Sequence, residues 1–188
     1  MRTLIIHPKD PSTSFLDIVY ESIPNKTIIT GGVSKDYVKK LIQEHDRVMM
    51  MGHGSPSGLF SVGQFDNVGG GYGGGFIIDQ SMVSLLKEKD NSVFIWCNAD
   101  RFVEYFGLKG FYTKMFISEV GEATYCGLPG MSQDIVDESN YGFVNILSEC
   151  INEPQDLMFK RILEGYGKLA ENNPVALYNH NRLCFNKP

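Results

Sequence analysis

The chain has 188 residues, 43% of them hydrophobic and 21% charged, which excludes a disordered tail, a collagen-like fibre and a membrane protein. Its 17 Lys and Arg against 22 Asp and Glu give a net charge of −5, so no general attraction to phosphate backbones exists and nucleic acid is not an expected partner. No apolar run approaches the roughly 20 residues of a membrane helix and no signal-peptide core follows Met1, so one cytoplasmic domain over residues 1–188 is expected.

Residues 3–7 read as a strand buried on both faces, because their apolar positions do not alternate. Residues 12–23 follow as a helix with Phe15, Leu16, Val19 and Ile23 on one side. Residues 26–30 form a second strand, stopped by Gly31 and Gly32. Ser34 caps a helix carrying Val38, Leu41 and Ile42. Residues 47–51 are a third strand, ending at Gly52-His53-Gly54. Two hairpin arms, 59–62 and 76–78, flank a glycine-rich stretch at 66–75. That stretch formally satisfies G-x-G-x-x-G at residues 69–74. It follows polar residues and precedes a strand, so it reads as a poorly ordered loop able to cover a site, not as a phosphate cradle.

Asp79 caps a helix with Met82, Val83, Leu85 and Leu86, and residues 92–96 form a fourth strand that delivers Cys97. Residues 114–118 are expected as a fifth strand, 134–150 and 154–170 as helices, and 175–178 as a sixth strand. The alternation predicts an α/β fold: a three-layer α/β/α sandwich with a mostly parallel, about six-stranded sheet.

In open α/β sheets, ligands and reactive groups collect at the carboxyl ends of the strands. His53 closes the third strand and Cys97 the fourth. A thiol with a pKa of about 8.5 needs a base or an electropositive setting to become a nucleophile. An imidazole on the neighbouring strand end is such a base, so Cys97 is expected to be the most reactive of the four cysteines. The Gly54 and Cys97 N–H groups can donate to a developing oxyanion. Asp10, Asp100, Glu119 and Glu122 follow strand ends and are candidates for substrate contacts. The cysteines contain no C-x-x-C pair, which excludes a zinc ribbon. Cys126, Cys150 and Cys184 read as reduced structural thiols. His7, His45 and His180 lack metal-ligand spacing and read as structural or surface residues.

An apolar strand closed by His53-Gly54, a small hairpin with Gly58-Leu59-Phe60, a helix over 81–87, and the run Val93-Phe94-Ile95-Trp96-Cys97-Asn98 occur here in that order. This order resembles the caspase-like cysteine peptidases, a superfamily that includes the gingipain, legumain and clostripain types. The resemblance implies a caspase-like fold, Cys97 as nucleophile, His53 as the proton-transferring residue and Gly54 as an oxyanion donor. It implies a polypeptide substrate and neither metal nor organic cofactor. Ile95 departs from it, standing where several relatives carry a polar or acidic residue, and the chain is short for the class. Two other functions fit the same residues: a catalytically inactive caspase-like interaction module, and a Cys-His amidase on a similar sheet. Acids outnumber bases near the strand ends, so a basic side chain is expected on the acyl side of the scissile bond.

Overall fold

The computed structural model describes residues 1–61 and 75–187. The glycine-rich stretch read as a cover over the site falls outside the described residues, Gly75 excepted. Strand β1, Thr3–Ile6, has all four residues buried. Asp10 then caps a 3-10 turn over Pro11–Leu16, its side chain accepting from the Ser12 N–H, and the turn runs into the short helix α1, Asp17–Glu21. The expected single helix over 12–23 is thus split between a 3-10 turn and a short α-helix. Strand β2 is Lys26–Ile29. Helix α2, Lys35–Glu44, starts where the Ser34 side chain accepts from the Tyr37 N–H, and it leads into β3, Arg47–Met51. The hairpin region is a separate three-stranded sheet of β4, Gly54–Ser55, β5, Gly58–Phe60, and β6, Phe76–Ile78.

Asp79 caps a 3-10 turn that becomes α3, Val83–Leu86, followed by β7, Ser92–Ile95, α4, Ala99–Phe106, and β8, Gly110–Thr113. The remaining elements are α5, Val120–Tyr125; α6, Gln133–Cys150; α7, Gln155–Ala170; α8, Pro174–His180; and β9, Leu183–Asn186. No described helix is long and apolar enough to cross a membrane.

The main sheet has six strands in the order β2-β1-β3-β7-β8-β9, all parallel except β9, which runs antiparallel to β8. Strands β1, β3, β7 and β8 are buried along their whole length, as expected of parallel strands covered on both faces. Alternate residues feed two cores. Ile5, Met49, Ile95 and Phe111 pack with residues of α6 and α7, such as Phe143 and Ile162. Leu4, Met50, Phe94 and Tyr112 pack with residues of α2 and α4, such as Ile42 and Phe102.

Two expected strands are corrected. The fifth strand is 110–113, not 114–118. Gly110 lets it lie against β7, because a Cβ there would meet the Ser92 carbonyl oxygen at 2.0 Å. In the 114–118 segment, Ile117 and Ser118 instead satisfy their backbone groups on side chains. Asn179 accepts from the Ile117 N–H and donates to its carbonyl, at 2.8 Å each, while Asn140 donates to the Ser118 carbonyl. Residues 175–178 are helical: Asn173 accepts from the Ala176 N–H, and Pro174 stands in the first turn, where its missing N–H costs no bond. The sixth strand is 183–186.

Candidate active site

Between β1 and β3 the strand order turns outward in both directions, the place where open α/β sheets form a crevice at their carboxyl ends. The loop after β1 supplies Asp10 and Ser12, the loop after β3 supplies His53 and Gly54, and β7, next to β3, leads into Cys97. His53 and Cys97 line one small cavity of about 20 Å³ with Phe15, Ile95, Phe116 and Ser118.

His53 is buried, with 7% of its surface exposed, and its Nε2 lies 2.6 Å from Ser12 Oγ. That hydroxyl is 2.6 Å from Asp10 Oδ1, and the Asp10 carboxylate is 3.8 Å from His53 Nε2. Partial burial opposes ionisation of Asp10, yet the hydroxyl and amide of Ser12, with the charge of His53, hold its carboxyl below the ordinary value.

Gly54 is held by Trp96. The indole N–H donates to the Ser55 carbonyl at 3.1 Å. A Cβ on Gly54 would stand 2.3 Å from the indole ring and 2.7 Å from the Gly58 carbonyl oxygen, so only glycine fits. The Phe60 N–H donates to the His53 carbonyl, which puts Gly54 opposite Leu59 at a non-hydrogen-bonded position. Its own N–H therefore points away from β5 and has no partner among the described residues.

Cys97 is followed by Asn98 at φ 65°, a left-handed residue that turns the chain sharply from β7 into α4. The Cys97 thiol donates towards the Phe116 carbonyl at 3.4 Å and Glu122 Oε1 at 3.6 Å. Burial, with the Glu122 charge second, pushes the thiol well above its ordinary value. The arrangement therefore favours the protonated thiol, with Phe116 and Glu122 as its hydrogen-bond partners, where the sequence leads to the expectation of a thiolate favoured by His53.

On its other side Cys97 opens into a pocket of about 400 Å³ that includes Gly54, Asn98, Met115, Glu119 and Glu122. Glu122 reaches back to the N–H groups of Ser118 and Glu119, a capping box that fixes its carboxylate beside the sulfur. Glu119 is pushed up, first by burial and then by Glu122, with the charge of His53 opposing. Of the four acids singled out in the sequence, Glu119 and Glu122 line this pocket and Asp10 lies behind His53. Asp100 does not join them. It sits in the first turn of α4, near Arg101, with one carboxylate oxygen buried and unpartnered among the described residues.

His7 is buried under the same loop, with Nδ1 3.1 Å from the Tyr20 hydroxyl and Nε2 3.2 Å from Thr13 Oγ1, and it braces the turn that carries Ser12. Sequence reasoning missed Ser12, Trp96 as a clamp on Gly54, and Asn98. Only Asn98 left a signal, as a residue tolerant of positive φ placed directly between a strand and a helix. No group of three or more His, Cys, Asp or Glu side chains among the described residues is arranged to hold a metal. No known protein family matches this chain, and no curated protein does.

Proposed function

We propose that the chain is a cysteine peptidase with a caspase-like α/β/α architecture, acting in the cytoplasm on polypeptides through Cys97 and His53. One observation carries this reading: His53 and Cys97, at the ends of adjacent parallel strands, line one cavity, with the Gly54 N–H beside it turned away from β5 and without a partner among the described residues. The reaction begins as the thiol swings from Phe116 and Glu122 towards His53 and passes its proton to the imidazole. The sulfur then attacks the peptide carbonyl carbon, and the N–H groups of Gly54 and Cys97 take the developing oxyanion. Collapse breaks the C–N bond, and the leaving amine takes the proton from His53. Water, deprotonated by His53, cleaves the thioester; the acid leaves and the proton returns to the sulfur.

The acidic pocket supports a Lys or Arg side chain on the acyl side of the scissile bond, bonded to Glu119 and Glu122. Such a cation also offsets the Glu122 charge that, after burial, disfavours the Cys97 thiolate, so binding and activation of the thiol are coupled. The test is labelling by a peptidyl acyloxymethyl ketone with Lys or Arg at its reactive end, located by mass spectrometry, together with cleavage of a peptide library. Modification of Cys97 alone, lost in Cys97→Ser and slowed in His53→Ala, with cleavage after basic residues, is expected. An unlabelled Cys97 overturns the peptidase in favour of a non-catalytic module, and turnover of small amides without peptides points to an amidase.

A further inference from the structure

The three groups Asp10, Ser12 and His53 define which ring nitrogen carries the imidazole proton. A serine hydroxyl has one proton to give and two lone pairs. Both neighbours of the Ser12 oxygen lie at 2.6 Å, Asp10 Oδ1 on one side and His53 Nε2 on the other. The Asp10 carboxylate has no proton to offer and also accepts the Ser12 N–H at 2.8 Å. The hydroxyl proton is therefore given to Asp10, and the lone pair left on Ser12 faces Nε2. A second lone pair there would repel it, so Nε2 must be the protonated nitrogen. Neutral His53 then keeps its basic lone pair on Nδ1, for which the described residues offer no partner.

The geometry assigns Ser12 and Asp10 as positioning residues that lock His53 in the Nε2–H tautomer and leave Nδ1 as the atom that exchanges a proton. That the proton is exchanged with Cys97 rests on the peptidase reading; the tautomer does not. When His53 takes up a second proton, Asp10 at 3.8 Å does not accept one from it, because Ser12 stands between them. The turn holding Ser12 is fixed from below: Thr13 donates its N–H to the Asp10 carbonyl at 3.3 Å, and its hydroxyl meets His7 Nε2. The other titratable groups around the assembly are Glu119, whose charge acts on His53, Cys97 across the small cavity, and His7, whose charge acts on Asp10.

The test is the ¹⁵N NMR spectrum of histidine-labelled protein at a pH where His53 is neutral. A pyrrole-type shift at Nε2 and a pyridine-type shift at Nδ1 are expected in the wild type. Ser12→Ala removes the acceptor and should give a mixture of tautomers. It should lower kcat on a cleaved peptide about 10- to 100-fold with KM unchanged. Ser12→Thr should restore both the single tautomer and the rate, which a purely structural role for the side chain does not predict. A wild-type protein with the proton on Nδ1, or a Ser12→Ala protein with an unchanged tautomer, overturns the assignment. If Ser12→Ala does not fold, the wild-type spectrum alone decides. The expected tautomer in a protein that neither cleaves peptides nor is labelled at Cys97 leaves the assignment standing and removes the peptidase reading instead.

Discussion

At the scale of single residues, the site is governed by where one proton rests. Cys97 donates towards the Phe116 carbonyl and Glu122, and a carboxylate beside a thiol disfavours the thiolate. Replacing that charge by an amide of the same shape removes the repulsion and keeps an oxygen for the Ser118 and Glu119 N–H groups. Glu122→Gln should therefore raise the rate of Cys97 alkylation by iodoacetamide at neutral pH, by about tenfold for each unit its pKa falls. An unchanged rate would leave burial as the whole cause. Gly54 is a second such point. Gly54→Ala should destabilise the protein by about 1–3 kcal/mol in urea unfolding, because its Cβ meets the Trp96 ring and the Gly58 carbonyl at once. His53 and Cys97 were legible in the sequence because each ends an apolar run, and strand ends are where such folds gather chemistry. Ser12 was not, because its partner His53 lies 41 positions away and a serine after Asp-Pro reads as a cap.

Among the elements, side chains rather than strand pairing hold the wall behind Cys97. The segment that carries Phe116 and leads to Glu122 has the strand-like composition Lys114-Met115-Phe116-Ile117, yet Asn179 of α8 takes both backbone groups of Ile117. Asn179 is fully buried, and a long-range pair of this kind has no local signature in the sequence. The same limit explains the misread α8, where the apolar run Val175-Ala176-Leu177-Tyr178 suits a strand until Asn173-Pro174 is taken as a helix start. The other strands were legible because continuous burial leaves continuous apolar runs, as in residues 48–51 of β3. Asn179→Ala strips two buried backbone groups of their partner and should cost about 2–4 kcal/mol in chemical unfolding. It should also loosen the 116–122 wall, so that Cys97 alkylation accelerates at denaturant concentrations below the unfolding transition. A loss of stability with the alkylation rate unchanged would show that the wall stands without this bridge.

For the molecule as a whole, the buried titratable groups set the pH range in which the fold is most stable. Burial pushes His7 below the ordinary 6.5, and the nearby Asp17 offsets this only in part. Below pH 6.5 the unfolded chain therefore binds a proton that the folded chain refuses, so stability falls as the pH drops. The carboxyls of Asp10 and Asp79 are held below their ordinary 3.8, so their contribution persists until the pH falls through that value. At the alkaline end the sign is opposite. Burial pushes up Cys97 and raises Cys150 to about 11, against an ordinary 9.0, and raises the Tyr166 phenol to about 12. The folded chain then keeps protons that the unfolded chain has lost, and stability falls as the pH rises beyond 9.0. Urea midpoints measured across pH should form a plateau between 6.5 and 9.0 with a decline on each side. His7→Gln keeps donors and an acceptor for Tyr20 and Thr13 but cannot take up a proton, so it should flatten the acid decline between pH 6.5 and the carboxyl range. Cys97→Ser should make the alkaline decline shallower in the same way. An acid limb as steep in His7→Gln as in the wild type would remove His7 as its origin and place the loss in the carboxylates, whose decline begins at lower pH.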